Sequence, residues 1–312
     1  MKQPFSLFLT ILTLLTLISS QPLNYPVILT LSIPTPTPNT ERVDNSLFRW
    51  LSSGGVDLIT IHTWTPLSEI DTLLQNITAV VFMGQPNIPD PSSSYYKQSK
   101  YIYDSIKQLY TSTPSRNIPL LALGNDLAMI ISFEGGNITH IKQHSPNSIV
   151  FESFDNVTKY KILSELDSDD FVNLVSSNIC PNKLDYVITK DNFIQNKQIT
   201  ETFDLVATSR LSNNNEVVYV SIIEGKQYPI FGLSFHPEKV NYENEYQVPI
   251  PDSLEAVKAA RLFGNSFIFY ARIYNTNYMN YEMKILYNWI KPYGNLPEYW
   301  YGTYQYLFTK EQ

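Results

Sequence analysis

Between residues 26 and 123, four near-continuous apolar runs alternate with segments of helical period, an order that suits a parallel sheet and little else. The runs are 26–32, 56–61, 79–84 and 119–123. A strand that is apolar at nearly every position, and not at alternate ones, must be covered on both faces. Between the first two runs, Pro34, Pro36 and Pro38 force an extended loop, because proline fixes φ and removes a donor. Residues 41–53 then place Val43, Leu47, Trp50 and Leu51 on one helical face, and Gly54-Gly55 stops that helix. A second helix is expected over 66–74. A third spans 95–112, with Tyr96, Ile102, Ile106, Leu109 and Tyr110 as its apolar side. Strands alternating with helices predict an α/β fold in which a mostly parallel sheet carries helices on both faces. A single domain over residues 21–312 accommodates all of it.

The second half is less regular. Residues 137–200 are polar, with helical pieces near 164–176. Residues 217–223 and 230–235 read as strands joined by a turn at 225–229, and a long helix covers 253–274. The aromatic stretch 287–308 has no clear period. With 43% hydrophobic residues over 312 positions the chain can bury a large core, and its formal net charge of −7 excludes nucleic acid, which needs a basic footprint. No run of Lys or Arg suits phosphates or anionic lipid.

The first 20 residues read as a cleaved signal peptide, with an uncleaved anchor as the alternative. Lys2 supplies the positive end, residues 5–18 are almost unbroken in Leu, Ile, Phe and Thr, and Ser19-Ser20 precede Gln21-Pro22. The apolar stretch is short of the ~20 residues a membrane span needs, and no later segment is long enough, so no membrane span remains after cleavage. The destination is the secretory pathway, either extracellular or a vacuole or lysosome. Three N-x-S/T triplets, at Asn76, Asn137 and Asn156, are glycosylation candidates on that route. Cys180 is the only cysteine and forms no intrachain disulfide. His140 and His144 lie four apart between Gly135-Gly136 and Pro146 and read as surface residues. No spacing supports a metal site, and no cofactor is indicated.

Chemistry concentrates in two places. In the first, the 119–123 strand runs through Gly124-Asn125-Asp126 directly into the apolar helix 127–133, the layout of a nucleophile elbow. An apex side chain there projects from the carboxyl edge of the sheet. Apex residues are commonly held at positive φ, which Asp tolerates, and the backbone N–H of the next residue can serve an oxyanion. Taken alone, the segment favours the simpler reading of Asp126 as a helix cap. In the second place a strand ends at His236, Pro237 stiffens the exit, and Glu238 follows. That spacing lets a carboxylate orient the imidazole and stabilise its charged form.

The run Glu224-Gly-x-x-Tyr228-Pro229-x-x-Gly232-x-x-x-His236-Pro237-Glu238-Lys239 resembles a motif of the gamma-glutamyl hydrolases, members of the class I glutamine amidotransferase-like superfamily. Residues 43–61, 73–84 and 118–128 are similar to further segments of that family in the same order. The resemblance covers residue 26 to about 272 and implies a class I glutamine amidotransferase-like fold. It also implies cleavage of gamma-glutamyl amides, such as those of folylpolyglutamates, by a cysteine at the elbow. By position His236 matches the general base and Glu238 its orienter. Leu127 matches one oxyanion N–H, and Gly84 matches the other, in a Gly-Gly turn that here reads Gly84-Gln85. The implied partner is a gamma-glutamyl or folate-like small molecule, and the implied assembly a homodimer.

The elbow departs from the family pattern. Gly-x-Cys-x-Gly stands here as Gly124-Asn125-Asp126-Leu127-Ala128, so Asp126 occupies the nucleophile position. A thiolate is a strong nucleophile, whereas a carboxylate is weak and would yield an anhydride from an amide. The Asn178-Ile179-Cys180 stretch loosely resembles a substrate-side segment but lacks its histidine and tryptophan. The substitution predicts a catalytically inactive homologue retained for binding or structure. The alternative is an active gamma-glutamyl or other amide hydrolase with non-standard chemistry at Asp126 and His236.

Overall fold

The computed structural model describes residues 26–310, apart from 85–89, 114–115, 137–138, 141–146, 149–150, 155–158, 167–178, 180, 183, 185, 212–213, 244–249, 274–297 and 301–302. Residues 1–20, expected from the sequence to be a signal peptide, Gln85, Asn137, His144, Asn156, Cys180 and most of the helical pieces expected near 164–176 therefore lie outside the described residues.

The first strands are β1 (Val27–Leu31), β2 (Ile33–Pro34), β3 (Thr40–Asp44), β4 (Asp57–Ile61), β5 (Ala79–Phe82) and β6 (Leu120–Leu123). The short β7 (Thr139–His140), β8 (Asn147–Ser148), β9 (Phe151–Phe154), β10 (Pro181–Asn182) and β11 (Tyr186–Val187) follow. The long β12 (Phe203–Leu211) and β13 (Asn214–Gly225), then β14 (Ile230–Leu233), β15 (Glu298–Trp300) and β16 (Thr303–Thr309), complete the set. One sheet has the order β4-β1-β5-β6-β14-β13-β12-β9. Its first five strands are parallel, and from β14 onward the pairing is antiparallel. The mostly parallel sheet and single α/β domain expected from the sequence are thus present.

Helices cover both faces, as the unbroken apolar runs require. They are α1 (Asn45–Ser52), α2 (Leu67–Leu74), α3 (Ser94–Ser112), α4 (Asn125–Phe133), α5 (Lys190–Gln195), α6 (Lys197–Thr202) and α7 (Leu254–Ile273). Successive strand residues point to opposite faces, and β14 shows which helix lies where. Phe231 packs on Phe267 and Tyr270 of α7, while a Cβ on the next residue, Gly232, would meet Leu127 of α4 at 3.1 Å. On the α7 face, Trp50 of α1 is 1% exposed and its indole N–H donates to the Ala260 carbonyl at 2.9 Å. A buried ring of that size is worth about 3–5 kcal/mol against alanine. Every residue of β1, β5, β6 and β14 is buried.

Two expectations need correction. The helix expected over 41–53 begins only at Asn45; residues 40–44 form β3, antiparallel to β16 with Val43 opposite Tyr306. Helical spacing yielded there to a partner strand supplied from more than 250 positions away. The aromatic stretch without clear period supplies that partner, in a small sheet of order β15-β16-β3-β2. In α3 the buried face is rotated from the one expected: Tyr95, Ile102, Tyr103 and Ile106 are buried, whereas Tyr96, Leu109 and Tyr110 are only partly so.

Candidate active site

Three adjacent parallel strands end at one edge of the sheet, and each delivers part of the site. β5 leads to Gly84, β6 leads to Gly124 and Asp126, and β14 leads to His236. Residues scattered over more than 150 positions meet because β5, β6 and β14 are neighbours with a common direction.

At the elbow the positive φ belongs to Gly124 (φ 55°, ψ −128°); Asp126 does not share it. The expectation of a strained apex aspartate therefore fails: Asp126 lies in the first turn of α4, and the glycine two residues earlier takes the conformation that L residues avoid. The capping alternative fails too. Gly124 is the cap residue, no side chain caps α4, and the Asp126 carboxylate turns away across the sheet edge. Its Oδ2 accepts the Gly84 N–H at 2.9 Å and the Tyr95 hydroxyl at 2.7 Å, and the residue is fully buried. Tyr95 is 1% exposed. Burial first, then the Asp126 charge and hydrogen bond, push its phenol well above the ordinary tyrosine range, so it is a neutral donor.

His236 is held from several sides. Phe235 before it is wedged between Phe151 and Phe263, and Pro237 opens a 3-10 turn over Pro237–Lys239. The backbone N–H of His236 donates to the Pro181 carbonyl at 3.1 Å, which ties the histidine turn to β10. Nδ1 lies 2.8 Å from Glu238 Oε1, and Glu238 is 2% exposed. A carboxylate accepts only, so in the neutral ring Nδ1 carries the proton and Nε2 the lone pair. Two glycines clamp the ring. A Cβ on Gly84 (φ 83°) would sit 2.8 Å from His236 Cε1, and one on Gly124 would overlap Nε2 and lie 2.7 Å from Cε1. Neither position tolerates a side chain while the imidazole stays where it is.

Asp126, Gly84, His236 and Glu238 are thus brought together as expected. Both backbone donors assigned to an oxyanion are already engaged: Gly84 N–H with Asp126, and Leu127 N–H with the Gly124 carbonyl at 3.2 Å. Tyr95 was missed by sequence reasoning. It reads as one more aromatic of an amphipathic helix, and the only hint is its place in the first turn after the loop that follows β5. Asn76 is half-buried with its Nδ2 donating to the Thr72 carbonyl at 2.8 Å, and Thr78 of the same triplet is fully buried against Val27. His140 pairs with Tyr186 through the backbone of β7.

A second polar cluster at the ends of β1 and β4 joins Ser32, Glu41 and His62. Ser32 Oγ donates to Glu41 Oε2 and lies 2.8 Å from His62 Nδ1, with Glu41 Oε2 at 3.4 Å from the same nitrogen. The residue types suggest a serine triad, but the geometry refutes one. Serine and glutamate share one ring nitrogen instead of flanking the imidazole, and Ser32 is fully buried. The cluster ties β1, β3 and the loop after β4 together.

No family model matches the chain. Curated proteins do. Gamma-glutamyl hydrolase B of Dictyostelium discoideum is 25% identical over 276 residues, covering 85% of this chain and 78% of its own. Gamma-glutamyl hydrolase of Homo sapiens is 23% identical over 252 residues, 75% and 72% of the two chains. Gamma-glutamyl hydrolase 1 of Arabidopsis thaliana is 25% identical over 256 residues, 77% and 70%. Among solved structures, a GMP synthase protein from Thermoplasma acidophilum superposes with a TM-score of 0.46 at 17% identity, covering 79% of this chain and 94% of its own. Over most of its length, then, this chain is similar to proteins named gamma-glutamyl hydrolase.

Proposed function

We propose that the chain keeps the gamma-glutamyl hydrolase scaffold and has lost gamma-glutamyl hydrolysis. The observation that carries this reading is the Asp126 Oδ2 hydrogen bond to Gly84 N–H. Amide hydrolysis through an acyl-enzyme needs a nucleophile that attacks the carbonyl and a donor pair left open for the developing oxyanion. Here one residue removes both. A carboxylate attacking an amide must form an anhydride, and this one already occupies the Gly84 N–H that the transient charge would need. His236 and Glu238 remain oriented as a base and its partner, without a thiol to deprotonate.

The same reading takes the protein into the secretory pathway, to the outside or to a vacuole or lysosome, on the strength of the apolar 5–18 run and the three sequons. No helix among the described residues is long and apolar enough to cross a membrane. A gamma-glutamyl or folate-like small molecule remains the ligand to test first, and a homodimer the assembly to test.

The deciding experiment compares wild type, His236→Ala and Asp126→Cys on gamma-glutamyl peptides. Wild type should cleave no faster than His236→Ala. Asp126→Cys should cleave measurably, because it supplies the thiol and releases Gly84 N–H. Cleavage by wild type above the His236→Ala rate would overturn the reading.

A further inference from the structure

We infer that Asp126 is a nucleophile toward saturated carbon, and that the site turns over small alkyl electrophiles bearing an anionic leaving group. The inference rests on the loss of amide chemistry proposed above. It starts from the two donors on one carboxylate oxygen, Gly84 N–H at 2.9 Å and Tyr95 O–H at 2.7 Å, both on Oδ2. For a carboxylate at an amide they are an obstruction. For a carboxylate that has become an ester they are an oxyanion hole, because Oδ2 is then the carbonyl oxygen on which charge must collect.

The chemistry closes with water as the only co-reactant. The Asp126 Oδ1 lone pair attacks the saturated carbon, that carbon's bond to the leaving group breaks, and the leaving group departs as an anion with the electron pair. An alkyl ester of Asp126 results, a stable product and not the high-energy anhydride an amide would require. Water then attacks Asp126 Cγ while His236 Nε2 takes its proton, and the negative charge moves onto Oδ2 between Gly84 and Tyr95. Collapse breaks the Cγ–O bond to the alkyl group, the alkoxide recovers the proton from the imidazolium, and the alcohol leaves. The regenerated acid loses its proton to solvent. An alkyl halide and water thus yield an alcohol, a halide ion and a proton.

The residues fit the roles. His236 carries its lone pair on Nε2 because Glu238 accepts from Nδ1 at 2.8 Å. The ring lies against Gly84, whose N–H binds the carboxylate, and against Gly124, two residues before it in sequence. Asp126 is fully buried and His236 9% exposed. Burial leaves the carboxylate poorly solvated, which favours nucleophilic attack.

The test uses the full chain with n-propyl bromide as the probe. Wild type should release bromide catalytically. His236→Ala should lose ~10²–10⁴-fold in ester hydrolysis, stop turning over, and accumulate one propyl ester located on Asp126 by peptide mass. Asp126→Asn should show neither ester nor bromide release. If His236→Ala does not fold, Glu238→Gln should show a burst of bromide followed by slow turnover. A single turnover in heavy-oxygen water should label the Asp126 carboxylate. No bromide release by wild type together with no ester on Asp126 in the folded histidine or glutamate variant would sink the inference, as would alkylation confined to Cys180 or other side chains. Gamma-glutamyl cleavage is scored separately. Its absence with no bromide release defeats only this inference, and its presence defeats the reading of lost amide hydrolysis.

Discussion

Removing the Tyr95 hydroxyl tests the electrostatic core of the site. Tyr95→Phe deletes a 2.7 Å bond to a carboxylate, between residues that are 1% and 0% exposed. A hydrogen bond to a charged group contributes about 1.5–3 kcal/mol, so the substitution should destabilise the fold by that amount. Asp126→Ala strands both the phenol and Gly84 N–H. At about 1–3 kcal/mol per buried unpaired donor, it should cost about 2–6 kcal/mol. In the double variant the phenol has neither owner nor acceptor to satisfy, so its share is counted once. The coupling between the two sites should be about 1.5–3 kcal/mol. Urea unfolding of the four proteins, with m unchanged, gives the quantity directly. Coupling below about 0.5 kcal/mol would refute the claim that Tyr95 holds Asp126, and with it the assignment of Oδ2 as a doubly held oxygen.

Two further outcomes follow from the same geometry. Gly124→Ala forces a side chain into a positive-φ position and onto the His236 ring; backbone strain and overpacking together should cost about 2–6 kcal/mol in urea unfolding and shift the imidazole resonances. Tyr95 has a folded pKa above its unfolded value near 10.0, so its contribution is intact below pH 10 and is lost as pH rises beyond it, because only the unfolded chain gives up the proton. Stability measured from pH 9 to 11 should fall more steeply in wild type than in Tyr95→Phe; equal slopes would contradict the buried neutral phenol.

Much of this was legible in the residues. Apolar runs at β1, β4, β5 and β6 announce strands buried on both faces, and the fixed positions from Glu224 to Lys239 announce a base and its orienter. What failed to show was contact across sequence. Residues 40–44 have helical spacing, and only β16 explains their extension. Gly124 and Asp126 are two residues apart, and local rules assign positive φ to the wrong one because they do not include the imidazole that requires a glycine there. Tyr95 and Tyr96 are indistinguishable by period. Which of them faces the carboxylate depends on how α3 rolls against β5 and α4, and a shift of one residue, about 100° around the axis, decides it.

The pairing of β3 with β16 also sets an order of events during synthesis. Thr40 lies opposite Thr309, so the first of these strands must wait until residues 303–309 have left the ribosome before its open side is paired. Through that interval the exposed backbone of β3 is a template for any extended segment, in this chain or a neighbouring nascent one. Chains stopped short of residue 303 should therefore clump or be degraded even with every residue of the elbow and the histidine turn in place. Deletions late in the sequence would then behave as damage near its beginning.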